Sequence, residues 1–230
     1  MRKGIDISEW QSNVDFNKVK NAGYDFVIIR AGIGSRKDIR FEEHYKKAKA
    51  AGLDVGSYWY SFATSPSEAL REANTFLSVI KGKQFEFPVY QDVEEQRQFS
   101  IGKAALSEVI KTFLSTVESA GYWVGLYGST YYMKTFVSDD VRRRYAFWVA
   151  DYSKSCSYKQ EYGMWQYGVA GNANWDTFKT KAVPGVNGEC DLDYCYSDYP
   201  TLIKNKGLNG FSKPSSPSSS TPSTSAKSIE

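Results

Sequence analysis

Ala51-Gly52-Leu53-Asp54-Val55-Gly56-Ser57-Tyr58-Trp59-Tyr60-Ser61-Phe62 is the stretch that decides the fold. It closes a helical pattern over residues 41–51 and opens a strand over 55–62. Gly52 stands between them, where the left-handed conformation that stops a helix carries no Cβ penalty. The same junction recurs as Ala22-Gly23-Tyr24 and Ala120-Gly121-Tyr122, and Lys81-Gly82-Lys83 has a similar role. Repeated helix–glycine–strand units predict parallel strands joined by crossover helices.

Outward from this stretch the two patterns alternate. Residues 3–7 and 26–30 read as strands around a short helix over 15–22. Ser65 as N-cap, Pro66 at the first helical position and Glu68 completing a capping box start the next helix. Its Ala69, Leu70, Ala73, Phe76, Leu77 and Ile80 keep helical spacing. An amphipathic helix follows on Leu106, Val109, Ile110, Phe113, Leu114 and Val117, then a strand over 123–127. After Gly128 helix signals fade, while 146–150, 163–167 and 189–194 read as strands. A regular βα front half and an irregular, β-rich back half are expected, with about eight strands closing into a barrel. A doubly wound open sheet is the second choice.

Composition narrows the class. The chain has 230 residues, 41% of them hydrophobic and 16% aromatic, which suits one large domain or two small ones. Aromatics fill cores and also line sugar-binding clefts. A net charge of +3 with scattered Lys and Arg argues against a nucleic-acid partner, and Arg142-Arg143-Arg144 reads as a solvated face. No segment approaches the ~20 apolar residues of a membrane helix, and the N-terminus lacks a signal-peptide apolar region. A chain made in the cytoplasm, or one separated from its leader, is expected. Cys156, Cys190 and Cys195 form no C-x-x-C pattern, so zinc is unsupported; they read as thiols, with one bridge to Cys156 left open. His44, the sole histidine, is expected on the surface of a charged helix, and its isolation rules out a multi-histidine metal site. Gly32-Ile33-Gly34 starts like a dinucleotide loop, but Lys37 occupies the third glycine position. No cofactor is expected. Residues 1–208 read as one domain, and 209–230, filled with Ser, Thr and Pro, as a disordered linker or tail.

Chemistry concentrates in Phe87-Pro88-Val89-Tyr90-Gln91-Asp92-Val93-Glu94-Glu95. On a strand Asp92 and Glu94 share a face, roughly 6.5 Å apart. Two like charges so close raise one pKa and leave a proton donor beside a charged partner. That is the equipment for cleaving a glycosidic bond; a solvated acidic turn is the bland alternative. Asp6, late in the first strand, and Asp191, on the last, would join the pair at the C-terminal mouth of a parallel barrel. Tyr58, Tyr60, Tyr127, Trp148, Tyr152, Trp165 and Tyr167 lie near strand ends and are expected to line a carbohydrate cleft, with barrel filling the competing reading.

These residues sit in an ordered series: Lys3-Gly4-Ile5-Asp6-Ile7-Ser8 with Trp10-Gln11, Phe26-Val27-Ile28-Ile29-Arg30-Ala31-Gly32, Gly56-Ser57-Tyr58-Trp59-Tyr60-Ser61, Asp92-Val93-Glu94, Trp148-Val149-Ala150-Asp151-Tyr152 and Trp165-Gln166-Tyr167. Over about residues 3–205 the series resembles the glycoside hydrolase family 25 lysozymes, muramidases common among phage endolysins. The resemblance implies a modified TIM-like (β/α)5β3 barrel in a single domain. It implies hydrolysis, with retention, of the β-1,4 bond between N-acetylmuramic acid and N-acetylglucosamine in peptidoglycan. By position Glu94 matches the acid/base, Asp92 its partner, and Asp6 and Asp191 the supporting acids. Trp59 stands where many members have His, and Asp193 where many have Asn. The implied partner is the peptidoglycan glycan strand, reached by release to the wall or outside the cell, with neither nucleic acid nor membrane insertion and a monomer as the default. The competing readings are a non-catalytic glycan-binding module and a peptide-cleaving enzyme, the latter lacking His and Cys machinery.

Overall fold

The computed structural model describes residues 1–171 and 181–214. Its front half runs β1 (Arg2–Ile7), α1 (Phe16–Asn21), β2 (Phe26–Ile33), β3 (Arg36–Lys37), α2 (Phe41–Ala50), β4 (Asp54–Tyr60), α3 (Pro66–Ile80), β5 (Val89–Asp92), α4 (Gln96–Phe99) and α5 (Lys103–Ser119). The back half runs β6 (Val124–Ser129), α6 (Thr130–Phe136), α7 (Asp139–Arg144), β7 (Ala146–Ala150), β8 (Met164–Ala170), β9 (Cys190–Cys195) and α8 (Tyr199–Lys206). Gly23, Gly52 and Gly121 hold φ of +88°, +74° and +89°, so the recurring junction is the left-handed stop its sequence predicts.

The strands form one closed sheet. Its order is β1-β9-β8-β7-β6-β5-β4-β2, β1 pairs back onto β2, and β3 is a short ribbon added to β2. Pairs from β1–β2 round to β7–β8 are parallel, while β9 runs antiparallel to both neighbours. This is the expected barrel of βα units finished by extra strands. The open doubly wound sheet is excluded, because no free edge remains between β1 and β2.

Two apolar layers result. Outward-facing strand residues and the helices share one core, including Val27, Ile29, Trp59, Phe76 and Phe113. The barrel interior is a second core of Phe26, Ile28, Phe87, Tyr90, Trp148 and Met164, closed below by Tyr199 and Ile203 of α8. Such large rings fit inside only because their neighbours are small. A Cβ on Gly4 would lie 2.2 Å from the Phe26 ring, and one on Gly125 2.3 Å from Tyr90.

Several expectations shift. β3, α4, α6, α7 and α8 carry no strong amphipathic run and were not expected. The last is nonetheless signalled by Asp198 as N-cap, Pro200 in its first turn and Gly207 at φ +65°. Ser65 accepts from the Glu68 amide at 3.4 Å, but the Glu68 carboxylate does not close the box on the Ser65 backbone amide. Its carboxylate takes the Thr64 amide and hydroxyl at 2.8 and 2.9 Å. His44 is buried, not exposed: Phe41, His44 and Ala48 form the inner stripe of α2, and the imidazole meets Phe16 edge-on at 5.9 Å. Burial lowers its pKa. All three cysteines are unpaired.

Packing runs past residue 208. Asn209, buried, donates to the Phe85 and Phe87 carbonyls at 3.1 and 2.8 Å and accepts the Trp123 amide at 2.7 Å. It ties the segment after α8 to the segments that enter β5 and β6. The remainder of the Ser/Thr/Pro-rich stretch, from 215 on, lies outside the described residues. Among the described residues no helix is long and apolar enough to cross a membrane.

Candidate active site

Strand register gathers the acids. Asp6 on β1 pairs directly with Asp191 on β9. Asp92, the last residue of β5, lies between Tyr60 of β4 and Tyr127 of β6. All three strand ends meet at one mouth, where a cavity of about 260 Å³ is lined by Asp6, Asp92, Glu94 and Asp191. Tyr58, Tyr60, Tyr127, Trp148 and Tyr152 line the same cavity.

Three placements differ from expectation. β5 ends at Asp92, so Glu94 is not a strand residue sharing its face by alternation. It stands in the turn that enters α4, solvent-reachable above the buried Asp92. Trp165 and Tyr167 do not reach the cleft. Met164 and Gln166 take the inward phase of β8, which leaves Trp165 and Tyr167 outside against Tyr194, with centroids 6.1 and 4.4 Å away. Trp59 is also turned outward, against Phe76 of α3, so the departure from the family pattern lies away from the cleft.

Hydrogen bonds fix the floor. Tyr127 and Tyr152 both donate to Gln166 Oε1, at 2.7 and 2.9 Å, which orients its amide. Gln166 Nε2 then donates to Asp6 Oδ2 at 2.8 Å. Tyr152 also reaches Asp191 Oδ1 at 3.2 Å. Below them Trp148 Nε1 donates to the buried Asp193 at 2.8 Å. Arg30, the nearest buried cation, is held by Asp38 at 2.9 Å and Glu9 at 2.8 Å. Gln166, Arg30 and Asp193 were absent from the expected site. An inward polar residue two positions from Met164 was the legible signal for Gln166, whereas Arg30 sits in a run otherwise read as plain strand.

The electrostatics follow from this crowding. Dehydration is the largest cause raising Glu94, followed by the charges of Asp191 and Glu95, and its carboxyl reaches about 7. Asp191 is raised to about 6, mainly by burial. Asp92 is raised well above the ordinary value by burial and then by Glu94, with Arg30 opposing. Asp6 is raised by burial and by Asp191 and Asp193. Three acids crowd the solvent-reachable Glu94 carboxyl, so the mouth keeps a proton near neutral pH that can be delivered to a bound group. Asp92 Oδ1 is buried at the floor without a hydrogen-bond partner.

The sequence model described as Glycosyl hydrolases family 25 matches residues 5–175. An autolytic lysozyme of Clostridium acetobutylicum is 32% identical over 83% of this chain and 55% of its own length. The chain thus spans little more than half of that relative. The CTP1L endolysin structure has a TM-score of 0.74 at 26% identity, covering 89% of this chain and 70% of that one. The catalytic domain of endolysin ply40, from bacteriophage P40 of Listeria monocytogenes, has a TM-score of 0.71 at 26% identity, over 88% of this chain and 97% of that domain. Because the family match runs through the strands that carry Asp6 and Asp92 and takes in most of the barrel, the chain belongs to glycosyl hydrolase family 25.

Proposed function

We propose that this protein is a lysozyme that hydrolyses the β-1,4 bond between N-acetylmuramic acid and N-acetylglucosamine in peptidoglycan, with retention. The observation that carries the reading is the Glu94 carboxyl. It is solvent-reachable, raised to about 7, and set beside Asp92 at the end of a barrel strand. Glu94 donates its proton to the leaving oxygen and later takes one from the attacking water.

Asp92 acts through the substrate's acetamido group. Burial draws the proton of the Asp92/Glu94 pair toward the floor, and the Arg30 cation opposes it. An acetamido N–H donated to the Asp92 carboxylate, which lines the cavity, would stabilise its charged form and leave the proton on Glu94 as sugar binds. The acetamido oxygen then attacks the anomeric carbon as the glycosidic bond breaks. Direct attack by Asp92 is the alternative, and a glycosyl–Asp92 adduct trapped with a fluorosugar would establish it. Asp191, raised only to about 6, is ionised at neutral pH and keeps the mouth anionic, which favours the positive charge that develops on the sugar. The likeness to two endolysins supports release to the wall as a phage lysin.

Digestion of purified peptidoglycan by wild type and Glu94→Gln tests the reading, with reducing ends followed and fragments weighed. New reducing ends at muramic acid, lost in the variant, support it. Strand binding without reducing ends from either protein would make this a glycan-binding module.

A further inference from the structure

Trp10 is the site residue that neither the acids nor the cleft aromatics account for. Its indole is 78% exposed, whereas Trp59, Trp148 and Trp165 are 0, 1 and 8% exposed. An exposed indole forfeits hydrophobic stabilisation, so its surroundings decide whether it is incidental.

The loop that carries it is held rigidly. Ser8 N donates to Gln11 Oε1 at 2.9 Å, Gln11 N to Ser8 O at 3.2 Å, and Trp10 N to Ser8 Oγ at 3.4 Å. Glu9 N donates to Asp38 Oδ2 at 2.9 Å, and Gln11 Nε2 to the Glu189 carbonyl at 2.9 Å. The Glu9 carboxylate is gripped by Arg30 at 2.8 Å and by Arg36. A partly buried ion-pair network is thus devoted to fixing a loop whose most prominent side chain faces water.

That side chain stands where two cavities meet. Trp10, Gln11 and Asp191 line the catalytic cavity and also a second one of about 360 Å³, whose far wall is Val169, Asn187 and Glu189. The second cavity lies on the β1/β9 side of the mouth, away from Tyr60 and Glu94.

We propose that Trp10 is a sugar-stacking platform and that the second cavity is a further glycan subsite, so that the enzyme grips a strand beyond the two rings it cuts between. This rests on the proposed action on glycan strands. The ligand class is a neutral, N-acetylated pyranose ring. Its apolar face lies on the indole, and its hydroxyl and acetamido groups reach the Asn187 and Glu189 side. Because the loop is already locked, little conformational entropy is lost on stacking.

Calorimetric titration tests this in the Glu94→Gln background, where strands stay uncut. The probes are peptide-free peptidoglycan glycan strands of many disaccharides and, separately, the shortest strand that the wild type cleaves. Adding Trp10→Ala is expected to weaken binding of the long strand about tenfold, equivalent to about 1.4 kcal/mol. The short strand, which meets Trp10 only where the indole borders the catalytic cavity, should lose less, about threefold or under, and Trp10→Phe should recover most of the loss. The thermal midpoint should not move, because an exposed side chain supports no core. Equal weakening of long and short strands, or none of either, overturns the proposal. Turnover by the wild type tests the lysozyme reading separately, since strand binding is measured in a protein that does not cut.

Discussion

The position of the alkaline limb of activity follows from one carboxyl. In the proposed acid role Glu94 must carry a proton to donate, and its carboxyl sits at about 7, so kcat/KM should fall tenfold per pH unit above that point. At pH 8 about one tenth of the molecules retain the proton. Among neighbouring charges Asp191 is the largest cause of the elevation. Asp191→Asn removes that charge and keeps the side chain's size, with an oxygen still able to accept from Tyr152. The midpoint must then move to lower pH. Burial, the largest cause, remains, so it should stay above the ordinary glutamate value of 4.5. Initial rates of reducing-end release, normalised to each protein's own acid-side plateau, separate this shift from any loss of absolute rate. An unmoved midpoint, or one displaced to higher pH, would refute the assignment of Glu94 as the titrating acid under the field of Asp191.

The same substitution should stabilise the fold. The Asp191 carboxyl rises from 3.8 unfolded to about 6 folded, so the native state binds the extra proton between those values. Stability from this group is full below 3.8 and is lost as pH rises through about 6. Asp191→Asn should therefore gain at most about 3 kcal/mol at pH 7 and nothing at pH 3, read by urea unfolding; a gain that grows at low pH would contradict it. Glu94→Gln should cut turnover about 10²–10⁴-fold while glycan binding persists, and retention of a tenth of the rate would displace Glu94 from the acid role. Asn209→Ala leaves two carbonyls and one amide unpaired under the barrel and should cost roughly 2–4 kcal/mol with KM unchanged. Arg30→Met leaves the buried Asp38 without its cation, while Glu9 keeps Arg36, and should cost about 3–5 kcal/mol; a loss below about 1 kcal/mol in either of these two variants would mean solvent replaces the missing partners.

The barrel was legible because its signals are local. A glycine at positive φ after α1, α2, α3 and α5, and a short apolar run in the strand that follows, are properties of a few adjacent residues. Asp6, Asp92 and Asp191 were legible for a related reason, since the C-terminal ends of parallel strands must converge. What could not be read was phase. Trp165 and Tyr167 share a face as their spacing requires, but whether that face points in or out depends on Met164 and Gln166 finding room beside Trp148. His44 failed likewise: its charged neighbours suggested surface, while only the helix's orientation shows that it falls on the stripe with Phe41 and Ala48. Glu94 was assigned to a strand because alternation had no reason to stop at Asp92. The strand ends there because Glu95 caps α4, with Gln98 returning to the Glu95 amide at 3.2 Å. Arg30 was missed because its partners, Glu9 and Asp38, come from two different loops.

The way the acids are distributed around the barrel separates their duties. Asp6 and Asp191 are direct neighbours across an antiparallel pair, so their repulsion is fixed by backbone hydrogen bonds and cannot relax by side-chain movement. Asp92 comes from β5, across the barrel mouth, and Glu94 from the turn beyond it. A rigid acidic pair therefore faces an acid on a strand end and another on a turn. Neutralising all four with cations would lower every pKa and abolish the proton donor. Among the described residues the supports at Asp6 and Asp191 are neutral donors, Gln166 and Tyr152, while the buried cation, Arg30, opposes the shift at Asp92. Neutral donors hold a carboxyl in place with a smaller electrostatic penalty to its protonated form than a full positive charge imposes. The choice of amide and phenol over guanidinium at the Asp6/Asp191 pair is what allows the mouth to be both rigid and protonated near neutrality. The stability sacrificed to this crowding is the quantity that Asp191→Asn should return.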